Sequence, residues 1–320
     1  METQLFDFNQ LAQLHVSEKE KVKWVDDGLR MQSHIQMPAK ISLKPSPEVF
    51  YNFMPVVIPE LNIAGVKVIN RIPARQPALT GHIMIYDLSD GQLKAIMDGD
   101  YITTARTGAV AAHSIQLLAK SHYKSVGFIG LGNQARSTAK SLLSIHDDPL
   151  KIVLLKYKDQ ASDFKRYVQS LKGISLADVQ IATTPEEVFR QSDVVVSSVT
   201  YAAKNMLTDT SVMESGTLLV PIHTRGFMNL DTVVDRIYCD SVDQIRNFKY
   251  FDKFRGLAQM NDVVTGHAPG RQNDQERFTV YNIGTALHDL FFAAKFYELA
   301  NKQGKASFDW QEPQKKVWYR

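Results

Sequence analysis

The later part of the chain alternates short apolar runs with stretches of helical spacing. The first run, 126–129, ends in a glycine-rich turn, and a helix-like stretch follows it. A short apolar run bounded by turn residues is typical of a strand that is buried on both faces. Further strands are predicted at 151–155, 179–182, 193–199, 218–221 and 236–239, with helices between them at 161–171 and 185–191. Strands that alternate with helices predict a parallel sheet with helices on both faces.

The earlier part of the chain follows a different pattern. Residues 15–34 have apolar side chains at three- and four-residue spacing, which predicts a helix. Between 38 and 92, β-type runs are separated by prolines, and Asp90-Gly91 has the composition of a hairpin turn. We therefore expect a twisted, largely antiparallel sheet in this region. Helical patterns occur again at 101–119 and 285–300.

The turn after the first apolar run contains a nucleotide-binding fingerprint. It reads Gly130-Leu-Gly132-Asn133-Gln134-Ala135, which is the G-x-G-x-x-A pattern. Gly130 permits the tight turn, Gly132 lets the backbone approach a pyrophosphate, and Ala135 lets helix and strand pack closely. The phosphates then lie at the helix N-terminus, where free N–H groups and the helix dipole favour anions. The pattern predicts NAD or NADP as cofactor, and a purely structural glycine turn is the alternative.

The end of the second strand bears on the choice between NAD and NADP. An acid at this position binds the ribose hydroxyls of NAD, whereas a basic residue accommodates the 2′-phosphate of NADP. The residues here include Lys156 and Lys158, and the nearest acid, Asp159, comes late. This favours NADP, with two solvated surface lysines as the alternative. We also expect a cofactor contact from Thr200, just after the strand predicted at 193–199.

Composition argues against several classes of protein. Hydrophobic residues make up 44% and charged residues 22% of the chain, as in soluble globular proteins. The formal net charge is +3 with mixed signs, which does not indicate a nucleic-acid partner. A single cysteine, Cys239, and histidines without clustered spacing predict neither a disulfide framework nor a metal site. With no run of membrane-spanning length and no basic segment at the start, we expect a cytoplasmic protein without a membrane partner.

Four sequence blocks resemble the ornithine cyclodeaminase/mu-crystallin family. They lie, in the order and spacing of the family, at 65–70, 81–91, 102–109 and 130–135. The resemblance implies an α/β protein with two domains. A Rossmann NAD(P)-binding domain would span 119–289. An α+β substrate-binding and dimerisation domain would be built from both chain ends, 1–118 and 290–320.

The resemblance also implies a class of reaction. Family members transfer a hydride between NAD(P) and the C–N bond of a small amino acid, and the type reaction converts L-ornithine to L-proline and ammonia. A homodimeric enzyme of this kind, acting on a small amino or imino acid, is the leading prediction. An NAD(P)H-dependent ketimine or imine reductase, or an alanine- or opine-type dehydrogenase, is the alternative, since all of them need the same cationic contacts. A mu-crystallin-like, NADPH-dependent binding protein is a further alternative.

The resemblance assigns residues to the substrate side. Arg106 lies in the block where the family binds the substrate carboxylate, which a guanidinium can grip with two parallel hydrogen bonds. Thr107 would contact a cofactor phosphate. Lys67 lies where the family has a lysine at the reacting end; a strand lysine whose tip reaches water is the alternative. Lys40 lies where relatives often carry an arginine for the carboxylate, with an exposed lysine as the alternative.

One segment departs from the family pattern. Cyclodeaminases carry an acid after the strand predicted at 218–221, and His223 stands at this position. An imidazole titrates near neutrality and could exchange a proton with the substrate amine, but it does not attract an ammonium group as a carboxylate does. A plain hydrogen-bonded loop histidine is the alternative. Arg225 could add a second anion contact, which suggests a substrate with an extra carboxylate. The segment 281–284, followed by Thr285 and Asp289, resembles the family's last block, whose glycine lets a helix approach the nicotinamide side.

Overall fold

The bounds of strands and helices in the computed structural model follow the hydrophobic pattern of the chain. The structure describes residues 3–171, 176–200, 202, 204–223, 226–301 and 307–308. The strands are β1 (Thr3–Phe6), β2 (Ile41–Ser46), β3 (Val49–Ile58), β4 (Ile63–Arg71), β5 (Leu79–Asp87), β6 (Leu93–Asp98), β7 (Ser125–Ile129), β8 (Leu150–Leu155), β9 (Leu176–Ala182), β10 (Val194–Ser197), β11 (Leu218–Pro221), β12 (Arg236–Cys239), β13 (Ala258–Gln259), β14 (Phe278–Tyr281) and β15 (Ser307–Phe308). The α-helices are α1 (Phe8–Ala12), α2 (Glu18–Met31), α3 (Gly99–Leu118), α4 (Asn133–Ile145), α5 (Gln160–Ser170), α6 (Pro185–Arg190), α7 (Val242–Ile245), α8 (Met260–Val264) and α9 (Ala286–Asn301).

The chain divides into two compact units. The first comprises the described residues of Met1–His15, His34–Ile102 and Asp289–Arg320. The second comprises those of Val16–Ser33 and Thr103–His288. Each unit contains one sheet.

The sheet of the first unit has the strand order β15-β1-β6-β5-β4-β3-β2. Consecutive strands from β2 to β6 pair antiparallel, and among the described strands of this sheet only the β1–β6 pair is parallel. The predicted largely antiparallel sheet is therefore confirmed. Within it, Lys67 of β4 lies opposite Met54 of β3 on one side and Ile83 of β5 on the other. Both neighbours are buried, so the register places the lysine among core residues.

The sheet of the second unit is parallel throughout its described strands, in the order β13-β12-β14-β11-β10-β7-β8-β9. Every residue of β10 and β11 is buried, as the continuous apolar runs predicted. From β7 the chain moves outward to β8 and β9 and then returns to β10 on the other side of β7. This is the doubly wound arrangement, in which a ligand-binding crevice opens at the switch point between the two central strands. The predicted Rossmann-type fold is confirmed.

The compact units differ from the predicted division into 1–118, 119–289 and 290–320. Helix α2 belongs to the second unit, because it packs on α4 and its Glu18 accepts a 2.8 Å hydrogen bond from Ser141 Oγ. Most of α3 also belongs there, since Gly108 lies so close to Ser137 of α4 that a Cβ at position 108 would clash. The chain thus passes between the units four times: before and after the segment 16–33, within α3 and at the start of α9. In the described part of the chain, none of the helices has the length and hydropathy of a membrane span.

Candidate functional site

The turn between β7 and α4 has the backbone of a phosphate-binding loop. Gly130 has a φ of +84°, and a Cβ there would come within 2.7 Å of the backbone nitrogen of Val199. Only glycine is compatible with this left-handed conformation and this close approach. Gly132 is the N-cap of α4, and a Cβ built on it has no neighbour within 4 Å. Ala135 is fully buried, where a larger side chain would separate helix and strand.

These features fit a dinucleotide pyrophosphate. Gly132 has no side chain that could accept the N–H groups of the first helical turn, and the space beside it is open. Asn133 is exposed and Gln134 half-buried in that same turn. The N-terminus of a helix of this length favours an anion through its N–H groups and its dipole.

Other predicted cofactor contacts lie at the same edge of the parallel sheet. Lys156 and Lys158 follow the end of β8 and are both exposed, and Thr200 is exposed beyond the end of β10. The carboxyl ends of parallel strands meet at one edge, which is where doubly wound sheets bind their ligands. The exposed lysines are therefore accessible to a cofactor phosphate as well as to solvent.

Lys67 forms a buried ion pair with Asp289. The distance between Lys67 Nζ and Asp289 Oδ2 is 2.5 Å, and the two side chains are 2% and 0% exposed. Gly65 allows this arrangement, because a Cβ there would lie 2.6 Å from Leu290 Cδ1 on the first turns of α9. The missing side chain lets α9 approach β4 and brings the carboxylate to the lysine. Sequence reasoning identified Lys67 and placed Asp289 in the family's last block, but it did not pair them, since 222 positions separate them (289 − 67).

Lys40 lies in the same unit as Lys67. It is half-buried and directly precedes β2. Its role in substrate binding stays a prediction.

Arg106 and Thr107 lie on α3 and are both buried, with 6% and 3% exposure. The guanidinium of Arg106 packs against the turn between β14 and α9. A Cβ on Gly284 would lie 2.7 Å from each terminal nitrogen of the arginine, and Gly284 has a φ of +85°. Glycine is thus required at this position both for the backbone conformation and for the space that the guanidinium fills.

His223 lies just after β11 and is bound to the end of β10. Its Nε2 is 2.6 Å from the hydroxyl of Ser197, which is fully buried. Burial lowers the pKa of His223 to about 4, because the charged imidazolium is disfavoured away from water. An imidazole with this pKa is neutral at pH 7, and the catalytic role of His223 stays a prediction. Arg225, the predicted second anion contact, lies outside the described residues.

The second unit thus brings together most of the predicted site. The fingerprint turn, Thr200 and His223 all follow carboxyl ends of its parallel strands, as does the Gly284 turn that contacts Arg106. Among the described residues, no group of three histidine, cysteine, aspartate or glutamate side chains converges as metal ligands would.

The sequence model of one family, the ornithine cyclodeaminase/mu-crystallin family, matches residues 2–304. The chain belongs to this family. The nodulation efficiency protein NfeD of Rhizobium meliloti is 28% identical over 289 residues, 83% of this chain and 85% of that protein. The predicted family is therefore confirmed.

Two solved structures share the fold over nearly the whole chain. The Δ1-pyrroline-2-carboxylate reductase of Thermococcus litoralis, in complex with NADH and L-proline, superposes with a TM-score of 0.84 at 20% identity and covers 96% of this chain and 100% of its own. An archaeal alanine dehydrogenase dimer with bound NAD superposes with a TM-score of 0.85 at 23% identity, over 97% of this chain and 100% of its own. At these identities the similarity establishes the fold.

Proposed function

We propose that the protein is an NAD(P)H-dependent reductase of a small α-imino acid, or catalyses the reverse oxidation of the corresponding amino acid. The observation that carries this proposal is the neutral, half-buried imidazole of His223, bound to Ser197, where the resemblance puts the acid of cyclodeaminases. Cyclodeamination of a diamino acid involves a second amine, which is cationic in solution. A neutral imidazole offers that cation no charge, so net reduction of an imine is favoured over cyclodeamination.

Each proposed role follows from the chemistry of one group. Arg106 binds the substrate carboxylate through its paired N–H donors. Lys67, held at 2.5 Å by Asp289, donates a hydrogen bond to the polar end of the substrate and can move a proton to the nitrogen. When bound, the nicotinamide supplies the hydride that adds to the carbon of the C=N bond. The nitrogen gains a proton, so hydride and proton together convert imine to amine. Thr107, Gly132 and the first turn of α4 hold the cofactor phosphates.

The proposed cofactor is NADP. The exposed lysines Lys156 and Lys158 at the end of β8 support this choice, since a 2′-phosphate adds negative charge at that position. The two neighbouring folds were solved with NADH and NAD, so the two cofactors must be compared directly.

We also propose that the protein is a cytoplasmic homodimer. Strand β2 supports the dimer, because it is an edge strand whose six residues are all exposed and include Ile41 and Leu43. Edge strands with apolar side chains are usually covered by a partner. The single, buried cysteine fits a reducing compartment.

The test compares three reactions of the purified protein. Δ1-Pyrroline-2-carboxylate, and pyruvate mixed with methylamine, are each incubated with NADPH or NADH, and cofactor oxidation is compared with amine formed. L-Ornithine is incubated with a sub-stoichiometric amount of NAD⁺ or NADP⁺, and proline and ammonia are assayed together. We expect one amine per cofactor oxidised, faster with NADPH, and no ammonia from ornithine.

Other outcomes assign the rival functions. Proline and ammonia in equal amounts, exceeding the cofactor supplied, would identify a cyclodeaminase and overturn the reductase proposal. Tight NADPH binding without turnover on any imine would indicate a binding protein. The variant Arg106→Gln serves as the control, because it keeps the fingerprint turn and should lose at least about tenfold in kcat/KM.

A further inference from the structure

A buried carboxylate that has no assigned role organises the turn against which Arg106 packs. Asp240 directly follows β12 and is 1% exposed. Its Oδ1 accepts a 2.9 Å hydrogen bond from Asn282 Nδ2, and its Oδ2 accepts one of 2.9 Å from the backbone N–H of Gly284. Both carboxylate oxygens are thus bonded to the same three-residue turn.

The backbone around Asp240 and Gly284 is fixed at further points. Gln32 Nε2 donates to the carbonyl of Asp240 over 3.1 Å, and Gln244 Nε2 donates to the carbonyl of Gly284 over 3.2 Å. Gly284 is therefore bonded at both its nitrogen and its oxygen. The two side-chain oxygens of Asp240 each accept one of the bonds from the turn, which a side-chain amide with a single oxygen cannot do.

The position of the Gly284 turn determines the space available to the guanidinium of Arg106. With a Cβ position of Gly284 only 2.7 Å from both terminal nitrogens of Arg106, there is no room for a side chain between the turn and the guanidinium. A turn that moved by a few tenths of an ångström toward α3 would displace the guanidinium. A displacement of that size weakens a bidentate hydrogen bond between the guanidinium and a carboxylate, because the two groups must be coplanar and aligned.

We propose that Asp240 is a positioning residue for Arg106, acting through the Gly284 turn and so setting the affinity for the substrate carboxylate. This inference rests on the proposed function, in which Arg106 binds that carboxylate. Under this proposal Asp240 affects the KM of the substrate but not the binding of the cofactor. The fingerprint turn follows β7, whereas Asp240 follows β12 and the Gly284 turn follows β14.

The first test is Asp240→Asn, which leaves one accepting oxygen for two donors. We expect KM for the imino acid to rise about tenfold, with kcat changed less and the Kd of NADPH unchanged. The matched control is Asp231→Asn. That carboxylate is also 1% exposed in the same unit and accepts a 2.6 Å hydrogen bond from Tyr281 Oη, but it does not bond to the turn. We expect Asp231→Asn to change Tm without raising KM.

The rescue variant is Asp240→Asn combined with Asn282→Asp. The amide at 240 can then accept from the N–H of Gly284 as before and donate to the carboxylate at 282, so both bonds are restored and only the 240–282 bond runs in the opposite direction. We expect KM to return to within about threefold of the wild type. If KM instead rises in proportion to the loss of Tm in all three variants, Asp240 has only a structural role and the proposal is overturned.

Crystal structures of the wild type and of Asp240→Asn separate this inference from the proposed function. The expected result is a displaced Gly284 turn and a displaced Arg106 guanidinium in the variant. Unchanged positions of both would overturn the inference even if the protein had no reductase activity. Absence of turnover in the wild type, with the displacement present, would overturn the proposed function and leave the positioning of Arg106 standing.

Discussion

Lys67 and Asp289 place two opposite charges next to each other where water does not reach, so each charge stabilises the other. Removing one partner of a buried ion pair costs about 3–5 kcal/mol, because an uncompensated charge stays in the interior. We expect Lys67→Met and Asp289→Asn each to lower the free energy of unfolding by about that amount. Urea unfolding at pH 7 measures it, with Lys23→Met, which breaks an exposed pair with Asp27, as the control that changes little.

The double variant Lys67→Met/Asp289→Asn distinguishes stability from chemistry at this pair. It carries neither charge, so most of the lost stability should return. If Lys67 also handles the substrate, turnover should stay at least about 100-fold below that of the wild type while NADPH binding is kept. A double variant that turned over at the wild-type rate would show that the pair serves folding alone.

His223 predicts a pH dependence of stability. Its pKa is about 4 in the folded protein against 6.5 for the free side chain. Between these values the unfolded chain binds a proton that the folded chain does not, so the free energy of unfolding falls as pH is lowered through this window. The full effect is roughly 3 kcal/mol. We expect the wild type to lose roughly 2–3 kcal/mol more than His223→Gln between pH 7 and pH 4.5, measured by urea unfolding.

The variant His223→Gln is a suitable reference because its amide is uncharged at every pH and can still bond to Ser197. All other titrating groups are common to both proteins, so the comparison isolates the imidazole. An equal loss of stability in the two proteins would mean that His223 is protonated in the folded state near pH 6, and that the neutral-imidazole argument for a reductase is wrong.

The turn from β7 to α4 contains two glycines that serve different purposes. Gly132 has no protein neighbour for a Cβ, so Gly132→Ala should leave Tm without cofactor unchanged and raise the Kd of NADPH about tenfold or more. Gly130 combines a φ of +84° with a Cβ position 2.7 Å from Val199 N, so Gly130→Ala should lower stability by about 1–3 kcal/mol. Thermal unfolding and NADPH titration separate the two effects. Wild-type NADPH affinity in Gly132→Ala would contradict a pyrophosphate site at this turn.

The turn from β14 to α9 offers a similarly controlled comparison. Gly284 and Gly266 have φ values of +85° and +79°, so an alanine at either carries a comparable backbone cost. Only at Gly284 would the new methyl group meet Arg106, since Gly266 has no neighbour within 4 Å of a Cβ. We expect Gly284→Ala to raise KM for the imino acid about tenfold, whereas Gly266→Ala leaves it unchanged. Equal KM values in steady-state assays would show that Arg106 does not depend on this turn.

Local sequence patterns predicted most strands and helices. The features that they missed depend on contacts between residues far apart in the chain. The fingerprint turn and the strand β7 before it lie in one short segment. An apolar run followed by two glycines was therefore enough to predict both. Strand β14 was missed, and it lies between β11 and β12 although it follows both in the chain. Asp240 and Ser197 gave no signal either, because their partners Asn282 and His223 lie on other strand ends. Sequence spacing does not record such contacts.

The whole molecule is predicted to be a dimer, and β2 is where the structure allows this to be tested. Ile41 and Leu43 are 52% and 55% exposed and, two residues apart on a strand, they point to the same face. A partner that covers them would remove apolar surface from water and pair an open edge strand. In sedimentation velocity we expect a species of twice the 36.1 kDa chain mass.

The variant Ile41→Lys/Leu43→Lys should convert this dimer to monomers, because two lysines would have to be buried unpaired in the interface. The control is Ile181→Lys, which adds a charge at a 43% exposed position on β9, an edge strand of the other sheet. That variant should sediment like the wild type. If the β2 variant stays dimeric, another surface forms the interface. If the wild type sediments as a monomer, the exposed strand serves a different purpose, and the proposal that two chains assemble is wrong.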